Sequence, residues 1–307
     1  MSAVRWFRIG DGILGLDSDD GPLNERFDEI YGECAVPDPG DLPTLRCRVT
    51  SAAASVEVSF DDPEPLDISR FAAAVFPGRP WDAEVSADGR TLRATRASEW
   101  RPFVANLTVS RTQRLQRHVM FFHAASLAVG GQGLLACGPK RSGKTTLAMA
   151  LACRGHDLFG DEVAAVRLVS RELLPVRRSL AVREGPASAQ ARAALTEIEP
   201  ATEVFPDGER RARAAVGSLF AAAAASAPLT TVLLLRSFAA APTAEAAAAS
   251  PALLGQLTPL AASLWGRPTG AVAIQLMRLL SASRVFWIDA GPPEQTAAFV
   301  EHLLETS

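Results

Sequence analysis

The rhythm of apolar and polar positions changes near residue 110. Before it, apolar residues come in short alternating runs, the pattern of half-buried strands, set off by turn clusters at Pro37-Asp38-Pro39-Gly40-Asp41, Asp61-Asp62-Pro63-Glu64-Pro65 and Pro77-Gly78-Arg79-Pro80. The plainest of these is a hairpin. Ala83-Glu84-Val85-Ser86 and Thr91-Leu92-Arg93-Ala94 flank Asp88-Gly89, a pair that suits a tight turn. Beyond Arg111 strand and helix signals alternate instead. Gly133 to Cys137 reads as a short buried strand, and Thr145 to Cys153 as a helix with Leu147, Ala148 and Leu151 on one face. Ser179 to Val182 and Thr230 to Leu235 read as strands. The chain closes with a strand at Arg284 to Ile288, a turn at Gly291-Pro292-Pro293 and an amphipathic helix through Leu304. The pattern predicts two domains, a small β-rich α+β domain over residues 1–110 and an α/β domain over 111–307.

Two stretches need a closer reading. Arg111, Arg114 and Arg117 recur every three residues on a predicted helix and are expected to face water. Ala214 to Leu235 carries no charge, but it is rich in alanine and contains Pro228, so it is read as a small-residue helix followed by a strand, not as a membrane span.

Composition narrows the function. With 48% apolar residues in 307, the chain can build real cores. A formal net charge of −3 suits neither a nucleic-acid coat nor a polybasic membrane tether. The first fifty residues hold ten acidic against five basic side chains, read as a solvated face. The four cysteines, Cys34, Cys47, Cys137 and Cys153, show no metal-ligand spacing, and no apolar segment follows Arg5 and Arg8 as a signal peptide would require. A cytoplasmic protein with reduced cysteines is expected.

The chemistry concentrates in Gly138-Pro139-Lys140-Arg141-Ser142-Gly143-Lys144-Thr145, which fits G-x-x-x-x-G-K-[ST] between a predicted strand and a predicted helix. Such a loop binds the phosphates of a nucleoside triphosphate. Gly138 and Gly143 let backbone N–H groups converge on phosphate oxygens, Lys144 would bridge the β- and γ-phosphates, and Thr145 would offer its hydroxyl to Mg²⁺. Thr146 completes the set of nucleotide-binding positions. Lys140 and Lys144 are the only lysines among 31 basic residues, so compact ammonium groups stand where phosphate is expected. Seventeen residues beyond Lys144 come Asp161 and Glu162, after the apolar step Leu158-Phe159. That compact spacing favours a kinase-like site over ATPases whose metal-associated acid follows a further structural unit.

The block from His123 to Val166 resembles the catalytic core of the HPr kinase/phosphorylase family. The resemblance rests on His123, the loop, Arg154-Gly155-His156, and Leu158-x-x-Asp161-Glu162. Gly143-Lys144-Thr145-Thr146-Leu147 and Leu158-Phe159-Gly160-Asp161-Glu162 are also similar to phosphoenolpyruvate carboxykinase. The chain departs from the HPr kinases at Thr146, where they usually have Glu, and at Glu162, where they have a second Asp. Arg183-Glu184-Gly185 is a loose stand-in for their later Arg-Gly signature, and residues 1–110 do not resemble their regulatory domain.

The resemblance implies a P-loop kinase domain of the HPr kinase/phosphoenolpyruvate carboxykinase type. It implies ATP or GTP with Mg²⁺, transfer to a Ser or Thr hydroxyl of a protein or peptide, and a homo-oligomer, with neither nucleic acid nor membrane as partner. Asp161 would be the general base and Glu162 the metal ligand, or the reverse, with Thr145 on the metal. His123 would position or relay a proton, and Arg183 would face phosphoryl charge. Bland readings stand beside these: a helix cap or solvated loop for Asp161-Glu162, and a core histidine for His123. Arg177, Arg178, Arg210, Arg211 and Arg213 read more readily as a solvated cluster than as a binding surface. A small-molecule kinase and a nucleotide switch without transfer remain alternatives, and no motif reads the base.

Overall fold

The computed structural model describes residues 3–52, 55–62, 64, 83–95, 100–184, 189–195, 200–204, 210–220, 224–265 and 267–306. The turn cluster at 77–80, Pro63, Pro65 and Gly185 lie outside the described residues. The protein is mixed α/β and divides into two compact units, residues 1–116 and 117–307.

The first unit comprises β1 (Arg5–Ile9), β2 (Gly12–Ser18), α1 (Gly21–Tyr31), β3 (Ala35–Val36), β4 (Thr44–Ser51), β5 (Ser55–Phe60), β6 (Ala83–Val85), β7 (Thr91–Thr95) and α2 (Trp100–Leu115). Its strands form one sheet in the order β3-β1-β2-β4-β5-β7-β6, antiparallel except where β2 meets β4. Period-2 patterning sets its faces. Leu45, Cys47 and Val49 of β4, and Val56, Val58 and Phe60 of β5, are buried while their neighbours face out. The hairpin at Asp88-Gly89 forms as expected, with Val85 opposite Leu92. Asp20 caps α1 by accepting from the Leu23 amide at 2.8 Å, and also holds Arg101 of α2.

Helix α2 packs on β1, β2 and β4 of this unit, which moves the boundary from the expected 110/111 to 116/117. Gln116 fixes the end of the helix: its Oε1 accepts from the Asp11 amide at 2.8 Å and its Nε2 donates to the Ile9 carbonyl at 2.7 Å. Arg111 does not face water. It is 7% exposed, its guanidinium pairs with Asp62 and donates to the Glu64 carbonyl, and it lies 4.7 Å from the Phe60 ring centroid. Arg111→Ala would strand a buried Asp62 carboxylate and is expected to destabilise the first unit by about 3 kcal/mol. Denaturant unfolding checks this, and an unchanged midpoint would count against it.

The second unit comprises β8 (Val119–Phe122), β9 (Ala125–Val129), β10 (Gln132–Cys137), α3 (Lys144–Cys153), β11 (Asp157–Gly160), β12 (Ala164–Arg167), β13 (Glu172–Leu174), β14 (Leu180–Arg183), α4 (Ala189–Leu195), β15 (Ala201–Val204), β16 (Arg210–Ala214), β17 (Ala227–Phe238), β18 (Thr243–Ala246), α5 (Pro251–Trp265), α6 (Thr269–Ser281), β19 (Arg284–Ala290) and α7 (Pro293–Thr306). Its large sheet runs β11-β9-β10-β17-β13-β12-β8, with β19 also beside β17 and β18 beside β19. Strands β10, β17 and β19 are mutually parallel, and β9 is antiparallel to both β10 and β11. The carboxyl ends of β10, β11, β17 and β19 therefore share one edge of the sheet. Alternate residues of β9, β10 and β17 (Leu127, Leu134, Ala136, Leu233, Leu235) join Leu147, Ala148 and Leu151 of α3 and Ala297 and Val300 of α7 in a continuous core.

The uncharged stretch from Ala214 divides differently from the expectation. Its described residues hold the end of β16, a single 3₁₀ turn at Val216–Ser218 and the long strand β17, with no α-helix among them. No helix among the described residues is long and apolar enough to cross a membrane. All four cysteines are free thiols, three of them buried.

Candidate active site

The loop from Gly138 to Gly143 leaves the carboxyl end of β10 and enters α3 at Lys144. Gly143 is the N-cap, at φ 94°, a left-handed conformation that a side chain resists. Pro139, Lys140 and Arg141 are exposed, and Gly138, Thr145 and Thr146 are half-buried. Lys144 is 7% exposed; its Nζ donates to the carbonyls of Gly138 at 2.9 Å and Pro139 at 2.8 Å, turning the ammonium into the loop. Burial draws its pKa below the usual ammonium value, Arg183 adds to that, and Glu162 and Asp161 push it back up. The Ser142 hydroxyl is buried without a hydrogen-bond partner among the described residues. That buried hydroxyl stands beside a buried ammonium at the head of a helix, a combination of donors that suits a phosphate chain.

Asp161 and Glu162 follow β11 on the same edge of the sheet. The turn carrying them is tight: the Val176 amide donates to the Phe159 carbonyl at 2.9 Å, and a Cβ on Gly160 would stand 2.6 Å from the Val163 carbonyl oxygen. The two carboxylates differ sharply in setting. Asp161 is 6% exposed, and burial with the neighbouring Glu162 charge pushes its pKa up to about 6. Glu162 pairs with Arg178 at 3.0 Å, and that guanidinium outweighs burial to hold its carboxyl below the ordinary value. Environments that push two acids apart in this way divide the roles of proton acceptor and fixed anion.

His123, just past β8, is half-buried. Its amide donates to the Leu260 carbonyl at 3.0 Å, and its ring hydrogen-bonds to the Glu162 main chain. Burial lowers its pKa, so the ring is neutral near pH 7.

The arginines depart from the expectation of a solvated cluster. Strands β14, β16 and β15 form a small three-stranded sheet. Leu180, Val182, Ala212 and Ala214 enter the core from one face, while Arg183, Arg211 and Arg213 share the other, with Arg183 directly opposite Arg211. Arg213 is 8% exposed and donates to the Ser179 hydroxyl at 2.8 Å. Arg211 and Arg213 both act on Glu162 electrostatically. Arg210 is exposed and pairs with Glu184, and Arg177 donates to the Phe220 carbonyl at 3.4 Å. His156 does not join the site; it bonds Glu301 of α7 at 2.7 Å. The alternation Arg211-x-Arg213 between alanines is a strand pattern with one charged face, and it was the available signal for this side of the site.

Removing Arg178 tests the Glu162 pairing. The Glu162 carboxyl lies below its unfolded value, so the stability it adds is present above pH 4.5 and fades as pH falls through the folded value. Arg178→Ala is expected to cost about 1 kcal/mol at pH 7, a modest figure because the pair is partly solvated. The loss should shrink in acid, and a pH-independent loss in thermal unfolding would contradict the pairing.

No protein-family model matches the chain, and no curated protein matches it. Among solved structures the chain is similar to the HPr(Ser) kinase/phosphatase from Coxiella burnetii, at 16% identity over 60% of this chain and 93% of that one, with a TM-score of 0.29. That is a distant structural likeness, and the assignment of the site rests on its own residues.

Proposed function

We propose that the second unit is a Mg-NTP-dependent kinase that phosphorylates a hydroxyl of a protein or peptide. The observation that carries the reading is the meeting, on one sheet edge, of a glycine-lysine loop at a helix head with two carboxylates of divergent character. The loop amides and Lys144 bind and polarise the phosphate chain. Thr145 and Glu162 supply hard oxygen ligands of the kind Mg²⁺ takes; the bound cation would offset phosphate charge. Asp161 accepts the proton of the acceptor hydroxyl as its oxygen forms the new O–P bond and the bond from phosphorus to the leaving nucleoside diphosphate breaks. His123 positions Glu162 through its main chain, and Arg178 holds the carboxylate.

The arginine face supports an anionic guest. Like charges placed directly across a strand pair repel, and Arg183 opposite Arg211 is such a pair, with Arg213 on the same face. Phosphoryl oxygens or an acidic stretch of the acceptor would offset that repulsion. The resemblance of residues 123–166 to HPr kinases supports a protein or peptide as acceptor.

The direct test is incubation of the full chain with Mg²⁺ and γ-labelled ATP in a lysate of its own cell, with Asp161→Asn as control. Label on a protein or peptide that depends on the unsubstituted chain is the expected result. Label confined to a small metabolite would replace the acceptor class, and tight nucleotide binding without transfer would favour a switch.

A further inference from the structure

We propose that Phe238 is the platform on which the base of the bound nucleotide stacks; this rests on the reading of the loop as a triphosphate site. Asp161 and Glu162 lie at the end of β11, to one side of β10, with β9 between them. Strands β17 and β19 lie on the other side, parallel to β10, with their carboxyl ends on the same edge. A nucleotide held by the loop has its terminal phosphate toward the carboxylates, so its ribose and base must leave toward β17 and β19. Ligands of open α/β sheets bind outside the carboxyl ends of such strands.

Phe238 stands on that path. It is the last residue of β17 and is 65% exposed, the one aromatic among the exposed large apolar side chains of the described residues. Its ring carbon Cε1 lies 3.3 Å from where a Cβ of Gly143 would be, so the ring lies against the loop itself. Single exposed apolar residues are common on protein surfaces; this one is laid against Gly143, the N-cap of α3.

The polar side chains near the carboxyl ends of β17 and β19 are engaged with one another. Arg236 holds Asp289 and Glu245, and the hydroxyls of Ser237 and Thr243 both donate to Asp289. That network ties the ends of β17 and β19 together, and Phe238 itself stays 65% exposed. A π-face accepts any base, so the platform adds affinity without choosing adenine over guanine.

The experiment compares Mg-ATP, Mg-GTP and Mg-tripolyphosphate by titration calorimetry on the full chain. Phe238→Ala is expected to weaken ATP and GTP alike by about tenfold, the scale of losing one base–aromatic stack, while tripolyphosphate binding stays unchanged. Phe238→Trp should restore nucleotide affinity. An unchanged nucleotide affinity in Phe238→Ala overturns the platform, as does an equal loss for tripolyphosphate, which would make the ring a prop for the loop. If the unsubstituted chain binds neither the nucleotides nor tripolyphosphate, the triphosphate reading falls and the platform with it. Binding of all three by a chain indifferent to Phe238 sinks the platform alone.

Discussion

Lys144→Ala is expected to lower Mg-ATP affinity by about a hundredfold and to cut phosphoryl transfer by at least a further 10²–10³-fold, the scale of losing one charged contact to a transferring group. The ammonium is the one lysine that the fold takes out of water at the loop, and two carbonyls with the Asp161 and Glu162 charges offset only part of the cost of burying it, since its pKa still lies below the ordinary value. Its bonds to the Gly138 and Pro139 carbonyls hold it inside the loop until phosphate oxygens can compete for it. Lys144→Met keeps the apolar stem and removes the charge, so it separates packing from electrostatics and should fail as completely as alanine. Lys144→Arg should fail too, since a planar guanidinium is wider than the ammonium the loop encloses. Calorimetry with Mg-ATP, alongside thermal unfolding to establish that each variant folds, reads these outcomes. An alanine variant that binds Mg-ATP as the unsubstituted chain does would end the loop assignment.

What was legible in the sequence was whatever local chemistry fixes. The loop and its flanking strand and helix, the hairpin at Asp88-Gly89, and the final strand, turn and helix all follow from turn residues and periodicity within a dozen positions. Contacts between distant residues were not legible. Arg111 is buried because Asp62 and Phe60 meet it, and neither is near it in sequence. The face of Arg183, Arg211 and Arg213 exists only once β14 and β16 pair. Phe238 was hidden by a charge: the run from Val232 reads as ending at Leu235 because Arg236 follows. In the sheet the register shifts between Leu235 and Ser237, Arg236 is extruded to pair with Asp289 and Glu245, and the strand continues to the loop. That Asp161 and Glu162 follow an apolar step soon after the loop helix could be read from the sequence, but the divergence of their acidities could not, because Arg178 and burial cause it.

That divergence makes Asp161→Asn the most informative substitution, because it should move activity and stability in opposite directions. Transfer is expected to fall by about 10²–10⁴-fold, the usual worth of a positioned general base, with Mg-ATP affinity little changed since Lys144 and the loop amides remain. Stability should rise. Asp161 has a folded pKa of about 6, above the ordinary carboxylate value of 3.8, so the fold binds this proton more tightly than the unfolded chain does. The stabilisation from that proton is complete below about pH 4 and is lost as pH rises through 6. At pH 7 the ionised, buried carboxylate therefore costs the fold about 3 kcal/mol, which asparagine would spare while keeping the shape of the side chain. In metal-free protein with EDTA, Asp161→Asn should unfold roughly 6–12 °C higher than the unsubstituted chain at pH 7 and within a degree or two of it at pH 4. The same carboxylate, poised near neutrality by burial, is suited to take a proton from an acceptor hydroxyl. A variant that transfers phosphate normally would remove Asp161 from the chemistry. One that loses transfer without gaining stability at pH 7 would keep the catalytic role and deny the burial argument for it.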